Sequence, residues 1–214
     1  MKLYTYYRSS AAFRVRIALN VKGVAYESIP KHLVKQGGEH LQADYLAANP
    51  QGLIPALEDN GAVIGQSLAI IEYLEERFPT PALLPTDLLQ RAQVRGMALG
   101  IVCDLHPLHN LRVTNYLAQQ FGHSDQDINE WRWHWIGRGL QVLEELVRRH
   151  STDGLHCFGD AVTLADVCLL PQIFTARRFK FDLAPFPLLT KIGNYLETLP
   201  AFANARPEVQ PDAE

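Results

Sequence analysis

An α/β unit at the N-terminus followed by an all-helical unit is the fold class this sequence predicts, and three observations carry it. Short β-favouring runs alternate with helical periodicity up to about residue 80, a proline cluster interrupts the chain there, and beyond it only helical patterns recur. The first part reads βαβ, then a helix, then ββα.

Residues 2 to 6, in "KLYTYY", are aromatic and β-favouring and read as a first strand. Ser9 or Ser10 then supplies an N-cap, Phe13, Ile17 and Val21 recur at i, i+4 and i+8, and Gly23 stops the helix. "VAYESIP" restarts a strand. After a polar stretch around "KQGGEH" and a helix, two short strands flank the turn "EDNG". A helix from about Ser67 follows, with Leu68, Ile71 and Leu74 on one face and Glu72, Glu75 and Glu76 elsewhere. Pro79, Pro81 and Pro85 read as a stiff linker over 79–86, dividing a domain at 1–80 from one at 87–214. Helical patterns then run at about 87–121, 125–150, 163–178 and 188–198. Thr163 with Asp166 three residues on is a variant of the capping box. The tail "RPEVQPDAE" reads as disordered.

The chain is 47% hydrophobic and 20% charged, with a net charge of −3, so it can bury a core but offers no basic footprint for nucleic acid or anionic membrane. "MKLYTYYRSS" lacks the apolar run of a signal peptide, and nothing approaches the ~18 apolar residues that cross a bilayer; a cytoplasmic protein is expected. Cys103, Cys157 and Cys168 are scattered and form no CxxC pair, so they read as reduced core residues.

Four features bear on chemistry, each with a bland alternative. Ser9 and Ser10 sit where a capping serine belongs, but unpaired amides and the helix dipole there also favour a thiolate or carboxylate, with Arg8 adjacent. In "NPQGLIPAL" the Ile54–Pro55 bond is either an ordinary kink or a cis bond that presents the Ile54 backbone to an extended peptide. Gln66 and Ser67 open a helix, either as a plain cap or as an amide and hydroxyl around a small carboxylate. In "CDLHPLHNLRV", His106, Asn110 and Arg112 fall largely on one side of a continuous helix, a solvated face or a site wall. The HxxH spacing of His106 and His109 has no companion ligands, so no metal is expected. No GxSxG elbow, GxGxxG or GxxxxGK[ST] is present, which leaves serine hydrolases and nucleotide binding unsupported.

Together, "YRSSAAFRVRIALNVKG", "NPQGLIPAL", "GQSLAIIEYLEERFPTPALLP", "HPLHNLRV", "GDAVTLADVCLLPQ" and "ARRFKFDLAPFP" resemble the zeta class of the glutathione transferase superfamily, which includes maleylacetoacetate isomerases. The resemblance runs from residue 1 to about 206, and the SSxxxRVRIAL run points to the class. It implies a glutathione transferase fold with a thioredoxin-like N-terminal domain, cis-Pro55, a helical C-terminal domain, a homodimer and glutathione as ligand. On that pattern Ser9 meets the glutathione sulfur, helped by amides near Ser10 and Ala11, and the Ile54 backbone pairs with the cysteinyl part. Gln66 and Ser67 take the γ-glutamyl carboxylate, and His40 reaches the glycyl end. His106, Asn110 and Arg112 line the site from the second domain. The family's usual SSC start is SSA here, so Ala11 leaves no protein thiol and an altered rate is expected.

The implied reaction is cis–trans isomerisation of maleylacetoacetate to fumarylacetoacetate, part of aromatic amino-acid catabolism. Arg8, Arg112 and Arg178 suit the substrate's carboxylates, because guanidinium forks match them. Arg14 and Arg16, mid-helix, read as structural. Maleylpyruvate as substrate, broader glutathione transfer to small electrophiles, and a non-enzymatic binding module are the alternatives.

Overall fold

Strand β1 (Lys2–Thr5) runs inside a four-stranded mixed sheet in a computed structural model that describes residues 1–214. The sheet order is β2 (Glu27–Pro30), β1, β3 (Ala56–Asp59), β4 (Ala62–Gly65); β2 is parallel to β1, and β3 pairs antiparallel with both β1 and β4. Helices α1 (Ser10–Val21), α2 (Ala43–Ala48) and α3 (Ser67–Arg77) complete the βαβ–α–ββα order expected. Helix α1 is buried almost all round, including Arg14 and Arg16, rather than along one stripe. Glu75, expected on the polar face of α3, is buried and pairs with the buried Lys22 at 2.5 Å.

The helical part comprises α4 (Leu88–Leu99), α5 (Leu111–Phe121), α6 (Asp125–His150), α7 (Leu164–Arg178) and α8 (Pro187–Leu196). The single helix expected over 87–121 is not continuous. A π turn at Gly100–Leu105 and a 3-10 turn at His106–His109 separate α4 from α5, and Asn110, in extended conformation, caps α5. Thr163 donates its N–H to Asp166 Oδ2 at 2.8 Å, as the capping motif requires, and its hydroxyl to the same oxygen at 2.8 Å.

By contacts the chain forms two units, residues 1–82 with 198–214, and residues 83–197. The helical domain expected to reach 214 thus ends at 197 in contact terms. The last segment, with the short helix α9 (Pro200–Ala203), packs on α1 in the sheet unit. The tail expected to be disordered is folded: a 3-10 turn spans Pro207–Val209, and the Asp212 carboxylate accepts the Tyr7 N–H at 2.9 Å. Of the cysteines expected in the core, Cys157 and Cys168 are buried, where burial pushes the Cys157 thiol well up, but Cys103 is exposed on the π turn. No helix is long and apolar enough to cross a membrane.

Candidate active site

Register gathers the candidate residues of the sheet unit at one end of the sheet. Tyr4 is paired with Ala56, and Ala56 with Gly65, so the exit of β1, the entry to β3 and the exit of β4 lie side by side. Ser9 and Ser10 follow β1, Ile54 and Pro55 precede β3, and Gln66 and Ser67 follow β4. The parallel β2 ends at the same edge, and the loop beyond it carries His40. Ligands of open α/β sheets gather at this kind of edge, outside the strand ends.

The chain leaves β1 through a tight turn in which the Ser9 N–H reaches the Tyr6 carbonyl at 3.0 Å. The structure assigns the cap of α1 to Ser9: its Oγ accepts the Ala12 N–H at 3.2 Å. That bond uses a lone pair and leaves the O–H as a donor, so the serine that caps the helix still has a hydrogen to offer. Ser9 is half-buried at the helix start, whereas Ser10 is buried within the first turn. Ala11 is half-buried beside it. Arg8 is exposed and stacks over the Tyr7 ring at 5.1 Å. Burial pushes the Tyr6 hydroxyl up to about 12, so it stays protonated at neutral pH.

The Ile54–Pro55 bond is cis, and Ile54 lies before the ladder, which starts at Ala56. The approach is fixed from behind, because the Tyr45 hydroxyl and the Asn49 amide both donate to the Leu53 carbonyl, at 2.5 and 2.9 Å. Gln66 has φ +67°, a left-handed conformation uncommon outside glycine that tends to mark functional turns. Its side-chain amide donates to Gln51 Oε1 at 2.9 Å. Ser67 is buried, and its Oγ accepts from Arg14 Nη1 at 3.4 Å. His40 is half-buried, and burial lowers its pKa below the ordinary imidazole value, keeping it neutral near pH 7.

Neither α1 nor α3 has an acidic residue in its first turn, so both N-termini keep their positive ends for an outside anion. Two hydroxyls, an amide, two helix starts and a backbone edge suit a short extended peptide bearing carboxylates and a thiol.

The helical unit holds the other candidates. His106 and Asn110 touch through their side chains at 3.3 Å, and Arg112 is exposed on α5. The break at Asn110 means the three do not share one helix face, contrary to expectation. His109 is a core residue, buried and bonded to Gln172 Oε1 at 3.2 Å. Arg178 ends α7, exposed and stacked on the Phe179 ring at 4.7 Å. A cavity of about 250 Å³, lined by Met97, Ile101, Trp135 and Val142, contains none of these residues and is not the place for their chemistry.

Sequence reasoning missed what holds the β1–α1 turn. Arg16 donates Nη1 to the Tyr6 carbonyl at 3.3 Å and to Thr5 Oγ1 at 3.2 Å, Nη2 to the Tyr7 carbonyl at 3.0 Å, and Nε to the Ala205 carbonyl at 3.0 Å. Burial pulls its pKa down to about 10, still charged at neutral pH. The only signal was an arginine inside an apolar run.

Sheet order and cis proline give the thioredoxin-like domain of a glutathione transferase, and residues 3–82 match the glutathione S-transferase N-terminal domain family. A maleylacetoacetate isomerase of Pseudomonas aeruginosa is 50% identical over 213 residues, 99% of this chain and 98% of that one. The holo structure of a bacterial zeta-class maleylpyruvate isomerase superposes with TM-score 0.96 at 46% identity, covering 100% of both chains. The maleylacetoacetate isomerase of Methylobacterium extorquens, solved with bound malonate and glutathione, superposes with TM-score 0.94 at 40% identity, again covering 100% of both. The chain belongs to the zeta-class glutathione transferase and maleylacetoacetate isomerase family.

Proposed function

We propose that this protein is a glutathione-dependent isomerase that converts maleylacetoacetate to fumarylacetoacetate. The observation that carries the reading is the convergence of Ser9, Ile54, Gln66 and Ser67 at one sheet edge with two acid-free helix starts, in a chain half identical to such an isomerase. Glutathione, when bound, supplies the thiolate whose reversible addition to the cis double bond permits rotation.

The protein's own residues bind and bias. The Ser9 O–H donates to the sulfur and, with the amides near Ser10 and Ala11, favours its ionised form. The backbone of Ile54, held outside the ladder by cis-Pro55, pairs with the cysteinyl part, while Gln66 and Ser67 receive the γ-glutamyl carboxylate. His40 addresses the glycyl end as a neutral donor. Arg8 in the sheet unit, and Arg112 and Arg178 in the helical unit, are the cations for the substrate's carboxylates, and they stabilise the charge that develops on its ketone oxygen. His106 and Asn110 accompany Arg112. In this reading residues 1–80 form the glutathione domain and helices α4 to α8 the substrate domain, and the protein works as a cytoplasmic homodimer in aromatic amino-acid catabolism.

Maleylpyruvate is the second reading, favoured by the TM-score of 0.96 with the maleylpyruvate isomerase. The test is loss of the ultraviolet absorbance of each maleyl acid with and without glutathione. The proposed reading predicts strict dependence on glutathione and a higher kcat/KM for maleylacetoacetate; a preference for maleylpyruvate selects the second. Tight glutathione binding without turnover of either acid rejects both. Light scattering during size-exclusion chromatography tests the dimer.

A further inference from the structure

The C-terminal tail reaches the active-site turn. Asp212 Oδ2 accepts the Tyr7 N–H at 2.9 Å, 205 residues away in the chain, while Arg16 Nη2 takes the Tyr7 carbonyl at 3.0 Å. Both backbone polar groups of Tyr7 are therefore held by charged side chains. The Tyr6 carbonyl is held by Arg16 at 3.3 Å and by the Ser9 N–H at 3.0 Å, so four backbone groups of the Tyr6–Ser9 turn are tied down. Charge-assisted bonds of this kind are shorter and about twice as strong as neutral ones.

The tail is itself fastened to deliver Asp212. The Gln210 amide donates to the carbonyls of Asn204 and Arg206, at 3.1 and 2.8 Å, and Glu214 pairs with Lys35 beyond β2. A side chain so placed acts on whatever the turn carries. The turn carries Ser9.

We propose that Asp212 is a positioning residue of the isomerase site: by accepting the Tyr7 N–H it fixes the Tyr6–Ser9 turn and thereby aims the Ser9 hydroxyl. The inference rests on the reading of Ser9 as the partner of the glutathione sulfur. The charged groups around the turn are Arg8 and Arg16 as cations, Asp212, Glu208 and Glu214 as anions, with Lys35 and His32 facing Glu214. Removing the Asp212 charge alone makes the surroundings more positive and favours a thiolate; losing the hydrogen bond loosens the donor and disfavours it. Asp212→Asn separates the two, because the amide oxygen still accepts the N–H.

The experiment compares the full-length protein with Asp212→Ala, Asp212→Asn and Ser9→Ala. Three quantities are read: amide exchange over residues 7–9, the pKa of bound glutathione from thiolate absorbance against pH, and kcat. Asp212→Ala should speed exchange over the turn, raise the bound thiol's pKa by about one unit and lower kcat roughly tenfold, with KM for glutathione nearly unchanged. Asp212→Asn should keep the exchange protection and the kcat of the unaltered protein, and its thiol pKa should be equal or lower.

Asp212→Ala with unaltered thiol pKa and kcat overturns the proposal whatever happens to Tm, as does Asp212→Asn behaving like Asp212→Ala. If those arms fail while Ser9→Ala raises the thiol pKa, the positioning role alone is rejected. If Ser9→Ala leaves the pKa unmoved, the Ser9 reading is rejected and the proposal falls with it.

Discussion

A buried charge fastens backbone groups in each of the two units, and the two charges differ in sign. In the sheet unit a buried cation, Arg16, collects the carbonyl oxygens of Tyr6, Tyr7 and Ala205. In the helical unit buried carboxylates collect N–H groups: Asp166 takes those of Cys157 and Thr163, at 2.7 and 2.8 Å, and Glu144 takes those of Leu188 and Leu189, both at 3.0 Å. The consequence concerns helix starts. Those of α7 and α8 are closed by the protein's own carboxylates, α4 by Asp87 and α6 by Ser124 with Asp127. Those of α1 and α3 have no acid in the first turn. The start of α5 also lacks an acid but is capped by the Asn110 side chain, so the acid-free starts at the sheet edge are those of α1 and α3, where the proposed reading puts the carboxylates of the peptide.

The largest effect expected from breaking this arrangement lies in the helical unit. Asp166 is fully buried, where burial pushes its carboxyl up against the hydrogen bonds from Cys157 and Thr163 that pull it down. Asp166→Ala leaves the buried N–H groups of Cys157 and Thr163 without their acceptor. It should cost on the order of 4 kcal/mol, read as a lower Tm by calorimetry, with Asp166→Asn recovering part. A change under about 1 kcal/mol would mean that these donors find other partners.

Arg16→Met is the counterpart in the sheet unit. A side chain of similar length fills the space but leaves the Tyr7 and Ala205 carbonyls buried without their donor, so about 3 kcal/mol should be lost. Unlike Asp166→Ala, it should also reduce kcat in the folded fraction, because the turn before Ser9 loses its support. An Arg16→Met protein that is less stable but fully active per folded molecule would separate the fastener from the site. Ser9→Ala comes next. Loss of the donor should lower kcat roughly a hundredfold and the cap about 1 kcal/mol in stability, while Ser10→Ala keeps most of the activity. The reverse ranking assigns the sulfur to Ser10.

The contrast also shows what the sequence displays. Strands, helix starts and the proline boundary were legible because alternation, period 3.6 and capping residues are local signals, and the Thr163–Asp166 box is one of them. The break inside 87–121 was not. Apolar spacing continues across Gly100–His109, and a change of hydrogen-bond register through π and 3-10 turns leaves no mark on it. Cys103 lies in that stretch and is exposed, which the absence of a CxxC pair does not reveal. The site's cap residues and cis proline could be quoted from motifs, and the sheet register explains why they meet. Arg16 stood out as an arginine among apolar residues, but its partners are backbone carbonyls, which no sequence shows. The tail looked disordered by composition, and its order depends on contacts with residues some two hundred positions away, such as the one between Asp212 and Tyr7.

The smallest effect offers the sharpest test of the comparison, because it asks the two properties to move in opposite directions. Ala69 is exposed at the third position of α3, where a glutamate would face the helix's positive end and could reach back to the cap amide. Ala69→Glu therefore gives the sheet unit the device that the helical unit uses at α6 and α7. The helix should gain roughly 0.5 kcal/mol, seen as a slightly higher Tm. The same carboxylate now competes for the amides that Gln66 and Ser67 present, so the Kd for glutathione by calorimetric titration should rise about threefold at low salt and less at high salt, as screening weakens the repulsion. Higher stability with unchanged affinity would mean that the α3 start does not hold the ligand's carboxylate. Weaker binding with higher stability, fading as salt is added, ties the open helix start to the ligand by charge, because a local packing defect at residue 69 would lower stability and would not respond to salt.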